Sequence, residues 1–125
     1  MNDDTRPRLR FGRIAATLPV RDMEQALAFY RDTLGLEVTF TNGDPVGFAI
    51  LRMDDAELHL TLQKNHTPRT YNVAHMIVSD VGEVHDRCVS GGARIVKGMR
   101  DQEYGLRAFV FQDPDGNRID VGQPI

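Results

Sequence analysis

The chain has 125 residues with 15 Lys and Arg against 18 Asp and Glu, a formal net charge of −3, which is room for one hydrophobic core and not for two independent ones. That balance offers no basic face to a phosphate backbone, and the aromatics are not interleaved with Lys or Arg as a base-stacking surface requires, so nucleic acid is not expected as a partner. No apolar run approaches the roughly 20 residues that cross a bilayer, and the single cysteine, Cys88, cannot form an internal disulfide.

The opening "MNDDTRPRLR" is charged and has no apolar segment of export-signal type behind it, so we expect a cytoplasmic protein in which residues 1–12 are a polar tail before one domain, 13–125. Ile14, Ala16, Leu18 and Val20 alternate as one face of a strand. Asp22 then caps a helix carrying Met23, Ala26, Leu27, Phe29 and Tyr30 at helical spacing, and Gly35 stops it. Three short strands follow, "LEVTF", "VGFAILRM" and "AELHLTLQ", separated by the turn chemistry of "TNGDP" and "DDAE".

The second half repeats the order. "NVAHMIVSD" reads as a strand, "VGEVHDRCVS" as a helix ended by Gly91 and Gly92, and "ARIVK", "LRAFVFQ" and "NRIDVG" as strands. Val20 and Asp22 correspond to Val78 and Asp80; Phe48, Leu58 and His59 correspond to Phe109, Ile119 and Asp120 at an offset three residues larger. The pattern is an internal duplication of βαβββ units, residues 13–63 and 71–123. The predicted fold is therefore α+β, two curved mixed sheets around a shared cavity. In the last hairpin, "FVFQDPDGNRID", Pro114 presets one corner and Gly116 allows positive φ at the exit. Ile119 and Val121 then share one strand face, and Arg118 and Asp120 the other. A carboxylate on an inward face needs a partner or a task.

"LPVRDMEQALAFYRDTLGLEV", "HMIVSDVGEVHDRCVSGGARIV" and "YGLRAFVFQDPDGNRIDV" resemble the vicinal oxygen chelate superfamily, which includes glyoxalases, extradiol dioxygenases and bleomycin resistance proteins, over about residues 13 to 122. The resemblance implies the paired-unit fold, a homodimer, and in the metal-using members a divalent ion held by side chains of the first, fourth, fifth and eighth strands. Carried onto this chain, those slots fall on Ala15, on or beside His59, on Val73, and on Asp120. Two of the four have no lone pair to offer. A displaced set, His59, His75 and Asp120 with Glu57 nearby, would restore the composition of a two-His carboxylate site. It requires a shift of about 7 Å along a strand for each two-residue step.

By alternation, Thr17, Thr61, Arg118, Phe48, Phe109 and Phe111 join His59, His75 and Asp120 as pocket-lining candidates. Arg107 could reach an anionic ligand or pair with a neighbouring acid, the commoner case; His66 and His85 are expected to lie at the surface, and "MRDQEYG" to form a loop over the cavity. The function expected is a small-molecule binding protein similar to bleomycin resistance proteins, with no metal cofactor, holding its ligand in a dimeric cleft. The alternative is a metal-dependent lyase, isomerase or dioxygenase that uses the displaced site.

Overall fold

A computed structural model describes residues 5–125; the first four residues of the expected tail lie outside it. The elements run β1 (Ala16–Val20), α1 (Met23–Ala28) continued by a π-helical turn (Phe29–Thr33), β2 (Glu37–Asn42), β3 (Phe48–Met53), β4 (Ala56–Leu62), β5 (Asn72–Ile77), α2 (Val81–Ser90), β6 (Arg94–Asp101), β7 (Leu106–Gln112) and β8 (Arg118–Pro124). They form two sheets of the same topology, β1-β4-β3-β2 and β5-β8-β7-β6. In each, the first strand pairs in parallel with the last and the other pairings are antiparallel.

The helices begin where the sequence places them. Asp22 accepts from Gln25 N and Asp80 from Glu83 N, both at 3.1 Å, which satisfies one free amide at each start. Leu34 N bonds to Phe29 O, five residues back, widening the end of the first helix; Gly35, at φ +87°, turns the chain out of it.

One face of each sheet packs with both helices into a single core. Leu18, Val20, Ala49, Leu51, Leu58 and Leu60 come from the first sheet, and Phe109, Phe111, Ile119 and Val121 from the second; Phe29, Tyr30, Val81 and Cys88 join them from the helices. Cys88 is wholly buried, and burial pushes its thiol up to about 11. The π-helical turn crosses from one unit to the other, with Phe29 5.9 Å from the Phe111 ring.

The "DPDGN" turn joins the halves from the other side. Asp113 accepts from Tyr30 Oη at 2.7 Å, from Asn117 Nδ2 at 3.0 Å, and from the backbone amides of Asp115 and Asn117. Asn117 Nδ2 also donates to Pro19 O, and Asp115 Oδ1 receives both the backbone N and the Nε of Arg21. This turn is structural: it closes its own hairpin and ties that hairpin to β1 and the start of α1.

Some expectations needed adjusting. The segment expected as a covering loop is strand in its first three residues, because β6 continues to Asp101, and only Gln102–Gly105 turn. His66 is buried at 8 % exposure with Nε2 unpartnered, and His85 packs edge-on against Phe109 at 4.9 Å, so neither is a plain surface histidine.

Candidate functional site

Because side chains alternate along a strand, a sheet with one face in the core presents the other as an open face. On the first sheet the cross-strand rows of that face are Thr17–His59–Ile50–Phe40 and Pro19–Thr61–Phe48–Asn42. His59 Nε2 donates to Glu57 Oε2 at 2.7 Å, and Phe48 meets the imidazole edge-on at 5.5 Å. Glu57, its side chain 13 % exposed, also pairs with Arg52 at 3.1 Å and lies 3.8 Å from Arg13. The hydrogen bond from His59, with the charge of Arg52, holds the Glu57 carboxyl below its ordinary range.

On the second sheet the equivalent rows are Arg94–Gln112–Arg118–Asn72 and Lys97–Val110–Asp120–His75. His75 Nδ1 donates to Asp120 Oδ2 at 3.0 Å. Asp120 thus has its partner, one strand away. Arg118 Nη1 reaches Thr70 O at 3.3 Å, while its Nε is buried and unpartnered.

Thr17, Thr61, Phe48 and His59 therefore share one open face, and His75, Arg118 and Asp120 share the other. Phe109 and Phe111 do neither. They are 1 % and 0 % exposed, on the core side. The reason is a one-residue difference between the repeats: four residues separate the paired Arg52 and Glu57, and five separate the paired Gln112 and Arg118. The residue opposite Asp120 is Val110, as Ile50 is opposite His59, so an alignment matching Phe48 to Phe109 puts every β7 side chain on the wrong face. Arg107 does pair with an acid, Asp101, at 2.8 Å across the hairpin.

The donors of the displaced metal set do not converge. Among the described residues no group of three or more His, Cys, Asp or Glu is placed to hold a metal ion. The set divides instead into Glu57–His59 on one sheet and His75–Asp120 on the other, each hydrogen-bonded within itself. The residues of one chain do not fit the metal-using pattern.

Two cavities adjoin these faces. One, of about 550 Å³, lies where β1 and β4 meet β5; it is mostly apolar, with Ala16, Leu58, Val73 and Met76 in its wall, and takes in Glu57 and His75. The other, of about 540 Å³, lies over the second sheet against Asn72, Lys97, Arg100, Tyr104 and Asp120. Lys97 and Arg100 were not among the sequence candidates. Regular alternation from Ile95 would send Lys97 to the core face opposite Phe109, but bulges in β6 place Lys97 opposite Val110 and Arg100 opposite Ala108.

A family model described as the Glyoxalase/Bleomycin resistance protein/Dioxygenase superfamily matches residues 10–121. The chain belongs to this superfamily. An uncharacterised protein of Mycobacterium bovis is 31 % identical over 83 residues, which are 63 % of this chain and 54 % of that protein. The chain spans about half the length of the curated relatives it matches. Among solved structures, a superfamily member from Sphaerobacter thermophilus DSM 20745 superposes with a TM-score of 0.75 at 28 % identity, over 92 % of this chain and 98 % of the other. A bleomycin-binding protein complexed with bleomycin gives 0.76 at 25 % identity, over 92 % and 100 %. Superfamily members thus share this architecture of paired four-stranded sheets; no helix among the described residues is long and apolar enough to cross a membrane.

Proposed function

We propose that the chain is a small-molecule binding protein that holds its ligand non-covalently on the open sheet faces, in a cleft completed by a second copy, and that it does so without a resident metal. The observation that carries this reading is the division of the candidate donors into two self-satisfied His–carboxylate pairs, with Ala15 and Val73 in slots where metal-using relatives are expected to have ligands. Donors spread over two sheets, with no third or fourth side chain converging on either pair among the described residues, are poor material for a site that needs three or four ligands. They suit polar recognition instead, beside the aromatic surface of Phe40 and Phe48. Similarity to a bleomycin-binding protein seen with bleomycin supports a binding role.

The test joins three measurements on one preparation made without chelator. Elemental analysis should find far less than one Zn, Mn, Fe or Ni per chain, before and after soaking. Light scattering should give the mass of a dimer, and a thermal-shift screen against bleomycin and small aromatic compounds should find stabilising ligands, about 2.7 kcal/mol for one at 100 times its Kd. Close to one tightly held metal per chain, lost on His75→Ala, would transfer the protein to the enzyme class.

A further inference from the structure

We infer that the cavity over the second sheet is a recognition site for the acidic group of a small organic anion, a carboxylate or a phosphonate attached to an apolar body. The inference rests on the binding reading above and adds the sign of charge that the ligand carries.

The charge on this face is lopsided. Cross-strand pairing puts Arg94, Lys97, Arg100 and Arg118 on it with one acid, Asp120, which is already engaged by His75. Arg94, Lys97 and Arg100 make no ion pair among the described residues, whereas Arg13, Arg21, Arg31, Arg52, Arg87 and Arg107 each have a carboxylate within 4.0 Å. On a chain whose net charge is −3, four cations gathered on one sheet face are a local field opposite in sign to that of the whole molecule.

The shape agrees with the charge. Ala108 and Val110, in the cavity wall, are 2 % and 4 % exposed although they face away from the core, so they lie deep below their neighbours. Gly122 keeps the row beside them low: a Cβ there would come 3.0 Å from Leu106 Cδ1 and 3.7 Å from His75 Cε1. A small apolar floor beneath Lys97 and Arg100, with Asn72 and Tyr104 beside them, matches an apolar body below and an acidic group above. The bulges supply one of these cations. Without them Lys97 would be directed at Phe109 in the core.

The test titrates the intact protein, at low ionic strength, with benzoate, phenylphosphonate, benzyl alcohol and benzylamine, following backbone amide signals by NMR. Benzoate or phenylphosphonate should bind with the largest shifts in β6 and β7, more weakly as salt is added. The Lys97→Ala/Arg100→Ala variant should lose about tenfold or more of that affinity. Lys64→Ala, which alters an exposed cation outside this face, should retain it, and Lys97→Glu should favour benzylamine. Both cations project from the surface, so circular dichroism should show the variants folded. The inference is overturned if neither anion perturbs β6 and β7, if the double variant binds them unchanged, or if benzylamine binds the native chain there as tightly. Bleomycin binding that ignores Lys97 and Arg100 would keep the binding function and remove the anion site; a resident metal would remove the binding reading whatever these titrations give.

Discussion

Tyr30 Oη lies 2.7 Å from Asp113 Oδ2, donating from the end of the first helix into the turn that opens the last strand. Both groups are buried, and desolvation raises the pKa of each, so the phenol stays a donor throughout the ordinary pH range. Tyr30→Phe leaves Asp113 one donor short and should cost about 1–2 kcal/mol. Asp113→Ala also strands two backbone amides and removes one of the two bonds of Asn117 Nδ2, and should cost at least about 3 kcal/mol. Urea unfolding checks both. In a double-mutant cycle the effects should be less than additive.

Two carboxyl groups should contribute to acid behaviour with opposite signs. The Glu57 pKa is lowered from an ordinary 4.5, so its stabilisation is complete above that value and is lost as pH falls through the lower folded value. Asp113 is raised by burial, so the folded chain holds that proton to higher pH than the unfolded chain does. Its charge therefore opposes folding above the raised value, and the opposition fades toward the ordinary 3.8. Glu57→Gln should destabilise the protein at pH 7 and much less at pH 3, measured as the gap between the two urea curves.

Phe48 and Phe111 should separate when truncated, because they occupy opposite faces. Phe111→Ala empties a fully buried site and should cost about 3–5 kcal/mol. Phe48→Ala, on the half-exposed face beside His59, should cost less and weaken any aromatic ligand held there. Thermal melting with and without ligand distinguishes the two effects.

Gly91 ends α2 against the π-helical turn. A Cβ there would overlap Thr33 Cγ2 and lie 2.7 Å from its Oγ1, while the φ of −83° is open to any residue. Gly91→Ala should therefore cost about 1–3 kcal/mol by overpacking alone. Adding Thr33→Ala, which removes both atoms, should recover most of it.

Cys88 should be inert to thiol reagents. With the thiol pushed up to about 11 and wholly buried, thiolate is scarce at pH 8. Modification by a disulfide reagent should track urea-induced unfolding; rapid labelling of the folded protein would contradict the packing described.

Much of the fold could be read from the amino-acid order, because caps and alternation are local signals. Asp22 and Asp80 announced the helices, and the repeated order announced the paired sheets. The open-face positions of His59, His75 and Asp120 also followed from alternation. Phe109 and Phe111 were misplaced because their facing depends on a residue count through the Gln112–Arg118 turn, and a count one too many reverses a whole strand. Lys97 was missed because a bulge has no dependable local signature and emerges from the pairing of β6 with β7; Arg100 was read as part of a covering loop and not of the strand. That the donors form pairs rather than one cluster depends on how the sheets sit together, which no single stretch records.

The irregular strands have a bearing on self-association. β2 and β6 are the outer margins of their sheets, both bulged, and β6 is studded with Arg and Lys. Such margins are poor templates for adding a further strand, so fibril-like growth is discouraged at both ends.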